Sequence, residues 1–447
     1  MIYDIAAETQ DPSERALLQA DRLTDLIGYL HEHVPVYAKR LDEAGIEPDR
    51  RYSLADLPKM PITMKSDLRE NYPFGLLAVP IAELARVHAS SGTTGKPTVV
   101  AYTASDLDVF AEVVARCMAM AGARPGMMAH NAYGYGLFTG GLGIHAGAER
   151  LGMTVVPVSA GMTERQLTLI ADLKPQVIAA TPSYALTLAQ AFREHGISPA
   201  EISLEHALLG AEPWTEPMRA EIDRGLGVRS VNIYGLSEII GPGVAAECWQ
   251  SRDGSHINED HFFPEIADPE SKEVLDDGSE GVLVLTTLTK RGMPLLRYWT
   301  GDITSLSRGR CACGRTLVKM APIKGRADDM LIVRGVNVYP NQIGEILAAV
   351  PGFSPHFQLV VTREGTLDKL EAKVEVTEEY FRGIAAELLS EEVVDADHAL
   401  RETRARAARL LHETIGLHVN VTLVAPGGTP RSEGGKLKRV EDRRHLS

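Results

Sequence analysis

The sequence predicts an α/β protein: a large N-terminal domain of α/β subdomains with parallel-type sheets and a β-rich part, then a small α+β domain. Three observations predict it. Short apolar runs alternate with helical patterns through the first three quarters of the 447 residues. One later run, Gly281–Thr287, alternates apolar and polar residues, which suits an antiparallel strand. Near Asp328 the pattern changes to short strands with two helices.

The elements follow in chain order. Asp11 before Pro12 is a helix start, with proline at the first helical position. Leu18, Leu23, Leu26, Ile27 and Leu30 then repeat with the ~3.6-residue period of an amphipathic helix. Thr154–Ser159, Val177–Thr181 and Val231–Tyr234 read as strands, and Thr163–Leu173 and Pro182–His195 as the helices between them. Beyond Asp328 the expected strands are Leu331–Val333, Gln358–Thr362, Glu371–Val376 and Val419–Val424, with helices over Glu378–Leu389 and Asp397–Ile415. The domains are therefore placed at 1–327 and 328–447.

Composition narrows the class of function. Acidic residues outnumber basic ones by 60 to 46, for a formal charge of -14, where a nucleic-acid binder normally carries a net basic footprint. No apolar stretch approaches the ~18 residues needed to span a bilayer, and the N-terminus reads as no secretory signal. Four cysteines are too few for a disulfide framework in so long a chain. The expectation is a soluble cytoplasmic enzyme, with no nucleic-acid or membrane partner.

Residues Ser90–Thr98 read Ser-Ser-Gly-Thr-Thr-Gly-Lys-Pro-Thr. Gly92 and Gly95 let the backbone turn tightly against an anion, while Ser90, Ser91, Thr93, Thr94 and Lys96 supply donors suited to a polyphosphate. A kinase-type P-loop needs four residues between its glycines and a hydroxyl after the lysine. Here only Thr93 and Thr94 intervene, and Pro97 follows Lys96.

The segment resembles the phosphate loop of the adenylate-forming superfamily of acyl-CoA synthetases, luciferases and adenylation domains. Ile233-Tyr-Gly-Leu-Ser-Glu238, Tyr298-Trp-Thr-Gly-Asp302, Gly325-Arg-Ala-Asp-Asp329 and Gly434-Gly-Lys436 follow in the superfamily's order. Ala132–Gly141, Gly241-Pro-Gly243 and Val333–Pro340 are similar to the phenylacetate–CoA ligase branch. The resemblance covers nearly the whole chain.

It implies an ATP- and Mg²⁺-dependent enzyme that makes an acyl-AMP and passes the acyl group to coenzyme A. Lys96, Thr93 and Thr94 would hold phosphates, Tyr234 would lie against adenine, and Glu238 would bind Mg²⁺. Gly210, Ala211 and Glu212, with Gly235 and Ser237, would complete the nucleotide site. Asp302 suits two adjacent ribose hydroxyls, and Arg326 can reach the ribose or a phosphate. Taken singly, Tyr234 also reads as a core aromatic, Glu238 as a helix-start acid and Asp302 as a turn aspartate. Asp328 would be the hinge of a mobile C-terminal lid, with Asp329 one position away. Lys436 would neutralise charge in the adenylation transition state. Its doubled glycine leaves Lys438 as an alternative, and a solvated basic tail as another. Rotation about Asp328 would then withdraw Lys436 and bring Val333–Tyr339 to the site for thiol attack.

By the same resemblance Tyr135, Phe138, Gly210, Ile239 and Pro242 would line the acid pocket. Aromatic walls with glycines alongside suit a small, flat or apolar carboxylate. An arylacetate leads; benzoate-like, aminobenzoate-like and branched or 2-hydroxy acids stay open. Cys311-Ala-Cys313 is a tight two-thiol turn, and Cys248 and His256 could complete a structural zinc site, with His261 a competing ligand. A metal-free cysteine cluster is the other reading. Cys117 lies in a helical pattern and reads as core. Two rivals remain: an enzyme loading a carrier-protein phosphopantetheine, and a nucleotide-binding sensor without catalysis. A homodimer is compatible with the resemblance.

Overall fold

The computed structural model describes residues 1–90, 97–327, 331–334, 336–364, 367–384, 389–432 and 437–444. Its backbone is a nine-stranded sheet. Thr154–Val156, Met128–Asn131, Val177–Ala180, His206–Gly210 and Arg229–Leu236 lie side by side, all parallel. The strands Gly241–Glu247, Ser255–Ile257, Lys319–Met320 and Leu306–Ser307 extend it antiparallel. Val177–Ala180 and His206–Gly210 are buried along their whole length, as parallel strands covered by helices on both faces must be.

The expected alternation of strands and helices is present here. Thr163–Leu173 is a helix, and Pro182–Glu194 is the next, opened by proline. Helix Pro12–His33 starts as read, its Asp11 carboxylate accepting from Ser13 N at 2.8 Å. Leu23, Leu26, Ile27 and Leu30 are core residues of its buried face. Cys117 is fully buried in helix Ala104–Met120.

The antiparallel expectation for Gly281–Thr287 also matches. This strand lies between Phe262–Ala267 and Tyr298–Thr304 in a four-stranded sheet that Gly325–Arg326 completes. Both of its faces are buried, however. Its threonines are tolerated inside because Thr287 Oγ1 bonds the Leu295 carbonyl at 3.2 Å.

After residue 330 the chain builds a separate apolar cluster from Leu331 to Leu423. Its sheet runs Asn420–Val424, Leu367–Val376, Phe353–Glu364, Val440–Asp442. Helix His398–Ile415 is capped by Asp397, which accepts from Leu400 N at 3.0 Å. Two expectations need correction. The helix expected over Glu378–Leu389 is described only as Glu378–Arg382, followed by Gly383, and residues 385–388 lie outside the described part. Helices Pro340–Ala348 and Glu391–Ala396 were not expected; proline at the first position starts the one, and the Ser390 side chain caps the other. Among the described residues no helix is long and apolar enough to cross a membrane.

Candidate functional site

In a sheet of this kind, ligands sit beyond the carboxyl ends of the parallel strands, where the strand order reverses. Here the reversal is at Met128–Asn131: the next strand in the chain, Thr154–Val156, pairs on one side of it and the one after, Val177–Ala180, on the other. Among the loops that leave from that end are Ala132–Gly141, the start of helix Pro182–Glu194, the turn Gly210–Glu212, and the turn after Leu236. Three of them hold expected site residues.

Gly210 ends its strand so close to the neighbour that a Cβ would lie 2.1 Å from the Ile233 carbonyl oxygen. Only glycine fits. Ala211 follows at φ +73°, in the left-handed region, and swings Glu212 back over the sheet end. The Glu212 carboxylate accepts from Ser183 N at 2.6 Å and from Leu437 N at 3.1 Å.

Tyr234 and Gly235 lie on Arg229–Leu236, and Gly235 meets the backbone at Gly241 just as closely. The Tyr234 hydroxyl donates to Asp302 Oδ2 at 2.6 Å, and Arg326 Nη1 approaches Asp302 Oδ1 at 3.4 Å. Burial, and then the Asp302 charge, push the Tyr234 phenol well above its usual range, so it stays a donor. Asp302 and Arg326 are register partners of adjacent strands. Three motifs distant in sequence thus meet at one carboxylate.

Ser237 and Glu238 form the turn beyond that strand and are held from beneath. Tyr102 donates to the Ser237 and Ile240 carbonyls, both at 3.1 Å, and Lys290 Nζ to the Glu238 carbonyl at 3.0 Å. Lys290 is buried, its ammonium 4.9 Å over the Tyr102 ring. Burial lowers its pKa to about 8, against the opposing pull of Asp106 and Glu238. Lys65 Nζ stands 3.4 Å from Glu238 Oε1. Sequence reading missed Lys65, Lys290 and Tyr102. No spacing flags them, because only tertiary folding brings them to Glu238.

The aromatic loop packs against both neighbours. Thr139 Oγ1 lies 3.1 Å from Ser237 Oγ, and the Leu137 carbonyl accepts from Ala89 N at 2.9 Å. Ala89 precedes Ser90, the last residue of strand Leu84–Ser90, which pairs with Thr98 across the glycine-rich loop. The Tyr135 hydroxyl accepts from Asn131 Nδ2 at 2.7 Å and sits 3.1 Å from His145 Nδ1. Phe138 is partly exposed, Pro242 half-buried and Ile239 fully buried in the core. Ser91, Gly92, Thr93, Thr94, Gly95, Lys96, Asp328 and Lys436 lie outside the described residues. Lys438 is exposed.

Away from this site, Cys248, His256, Cys311 and Cys313 bring one ligand atom each to within 4.8 Å of one another. Cys248 Sγ is 3.8 Å from Cys311 Sγ, and Cys313 Sγ 3.6 Å from His256 Nε2. Those separations are close to the edges of a tetrahedron with metal–ligand bonds of ~2.0–2.3 Å. The Cys313 thiol, bonding toward Cys248, holds the Cys248 thiol well below its usual range and is itself pushed up. His261, the competing ligand, instead faces Thr289 Oγ1 at 2.7 Å and Asp260.

The family model for AMP-binding enzymes matches residues 30–288, and that for the AMP-binding enzyme C-terminal domain matches residues 335–444. A phenylacetate–coenzyme A ligase of Thermus thermophilus is 63% identical over 444 residues, 99% of this chain and 100% of that protein. Among solved structures, 2-hydroxyisobutyryl-CoA ligase in the postadenylation state with 2-HIB-AMP superposes with a TM-score of 0.89, at 31% identity over 100% of this chain and 93% of that one. The same enzyme with 2-HIB-AMP and CoA in the thioesterification state gives 0.71, at 32% identity over 99% and 92%.

Proposed function

The chain belongs to the AMP-binding enzyme family, together with the phenylacetate–coenzyme A ligases, and from that premise we propose that it joins a small carboxylic acid to coenzyme A at the expense of ATP, through an acyl-AMP. The acid is arylacetate-like, on the strength of the Thermus thermophilus relative and of the aromatic residues in Ala132–Gly141. The observation that carries the reading is the meeting of Tyr234, Asp302 and Arg326 beyond the parallel strands, where a nucleotide would lie.

Two anions must react in the first step, so the site has to gather cations and donors around phosphate. Thr93, Thr94 and Lys96 hold the β- and γ-phosphates, and later the leaving pyrophosphate. Asp302 accepts from the ribose hydroxyls, with Arg326 beside it, while the Tyr234 ring lies on adenine. Glu238 offers the hard oxygen donor that suits Mg²⁺, and when bound the ion spreads phosphate charge. Lys65 adds a second cation at the same place. Carboxylate oxygen then attacks the α-phosphorus, and Lys436 neutralises the charge that develops. Movement of the C-terminal domain, residues 328–447, about Asp328 removes that lysine and admits coenzyme A, whose thiol attacks the acyl carbonyl and expels AMP. The separate apolar clusters on either side of residue 328 support this division. Zinc at Cys248, His256, Cys311 and Cys313 is structural in this reading, since four protein ligands close its coordination.

Pyrophosphate release measured over a panel of carboxylic acids, with and without coenzyme A, tests the function. Release with phenylacetate-like acids, and AMP and thioester formed in equal amounts with coenzyme A, is the expected result. Acid-dependent release without any thioester would move the acceptor to a carrier protein.

A further inference from the structure

One carboxylate links the two domains at the site. Glu212 Oε1 takes the Ser183 N–H at the start of helix Pro182–Glu194, and Oε2 takes the N–H of Leu437, the residue after Lys436. Two residues further on, Arg439 is fixed to the C-terminal sheet, its carbonyl accepting from Leu359 N at 2.7 Å. The Arg439 guanidinium lies 4.7 Å over the Phe357 ring, and Nη2 reaches Met218 Sδ at 3.4 Å on helix Glu216–Leu226 of the large domain. Burial lowers the Arg439 pKa, and the Glu212 charge is what opposes that. Trp214, Thr215 and Asn341 enclose the same crevice.

The likeness to solved structures says which arrangement these contacts belong to. The chain superposes on the postadenylation state at 0.89 and on the thioesterification state of the same enzyme at 0.71, with nearly equal identity and coverage. These contacts therefore belong to an arrangement nearer the postadenylation state than the thioesterification state.

We propose that Glu212 is a positioning residue for adenylation: its carboxylate holds the Leu437 amide, and with Arg439 it keeps the lysine-bearing segment at the nucleotide end of the sheet. The bond breaks when the C-terminal domain moves for thiol attack. A helix cap alone would use only Ser183; the second oxygen, spent on the other domain, has no part in such a cap. The proposal rests on the functional reading above.

The test separates the half-reactions. In Glu212→Ala, kcat for acid-dependent pyrophosphate exchange should fall about tenfold or more at saturating ATP, the size of one hydrogen bond to a charged group. Glu212→Gln, which keeps a neutral acceptor, should lose less, and Arg439→Met should fall in the same direction. The attack of coenzyme A on preformed acyl-AMP should keep its rate in all three. Equal loss in both half-reactions, or a raised KM for ATP at constant kcat, overturns the proposal. A second readout needs no activity: hydrogen exchange at the Leu437 amide should quicken about tenfold in Glu212→Ala. Unchanged exchange there overturns the proposal even if the enzyme is active. A wild-type protein that releases no pyrophosphate with any acid defeats the functional reading instead, and the exchange measurement still decides the contact. If Glu212→Ala fails to fold, Glu212→Gln and Arg439→Met carry both comparisons.

Discussion

Tyr234 donates its phenolic hydrogen to Asp302 at 2.6 Å, tying the central strand of the nine-stranded sheet to an inner strand of the four-stranded one. The phenol keeps its proton because burial and the neighbouring charge both raise its pKa. Asp302 is thereby oriented before any ribose arrives, and an acceptor already in place costs less ordering on binding. Tyr234→Phe should raise KM for ATP about tenfold while kcat changes less. Asp302→Ala should do more, since it removes the acceptor itself. Pyrophosphate exchange at varied ATP measures both, and an unchanged KM in both variants would place the ribose elsewhere.

Lys290 reaches the Glu238 carbonyl from inside the protein, where an ammonium is costly to desolvate. Replacing buried charge by an apolar chain of similar length is often neutral for stability or better. Lys290→Met should therefore fold with a melting temperature close to that of the parent, yet lose adenylation about tenfold or more as the Glu238 turn shifts. Thermal melting and pyrophosphate exchange on one preparation test this. A large fall in melting temperature with normal activity in the remaining folded enzyme would assign Lys290 to folding alone.

Stability should decline in mild acid for a reason visible in the core. His130 is fully buried on Met128–Asn131 with Gln166 bound to Nε2, and burial lowers its pKa below 6.5. The unfolded chain takes up a proton as pH falls through 6.5 and the native state does not, so the native state loses stability there, by at most ~1.4 kcal/mol per pH unit for one histidine. Above that window the group contributes no pH dependence. Denaturant melts between pH 7.5 and 5.5 should show the slope, and His130→Gln should flatten it if the variant folds; a slope unchanged in that variant assigns the acid sensitivity to other groups.

Three of the five parallel strands, Val177–Ala180 among them, were legible because they are short apolar runs set between helices with evident starts, such as Pro182; Met128–Asn131 and His206–Gly210, which flank it, were not read as strands. Pro340–Ala348 was not, since its nine residues follow a strand-like run and carry no long periodic face. Asp302 and Tyr234 could be named from local strings, yet the bond between them could not, because it depends on the packing of two sheets. Lys65 and Lys290 left no trace in the sequence for the same reason. Their neighbours are ordinary, and their proximity to Glu238 arises from elements far apart in the chain. Cys311-Ala-Cys313 announced itself by spacing, while Cys248 and His256 joined it only as nearby candidates; the folded chain brings all four together.

The lysine assignment can be decided by two substitutions. Lys438 is exposed, two residues beyond Lys436, and the Leu437 amide between them is bound to Glu212. Lys436→Ala should lower acid-dependent pyrophosphate exchange by roughly a thousandfold while leaving the attack of coenzyme A on preformed acyl-AMP nearly intact. Lys438→Ala should change neither. The reverse pattern would move the role to Lys438.

The cysteine cluster makes a prediction that activity cannot answer. Four thiol and imidazole groups within 4.8 Å of one another crowd polar atoms that gain little from each other, whereas a zinc ion would bind all four. The Cys248–Cys311 sulfurs, 3.8 Å apart, are far too distant for a disulfide, and that separation and the 3.6 Å from Cys313 to His256 are about right for two ligands of one ion. Purified protein should contain about one zinc per chain, and Cys311→Ser should lose it together with about 4 kcal/mol or more of stability, the range reached when a structural metal is lost. Because the cluster stands apart from Asp302 and Glu238, the folded fraction of the variant should keep its KM for ATP. Elemental analysis on unmodified protein is decisive: no bound metal means the thiols pack as a plain buried cluster, and Cys311→Ser should then cost little.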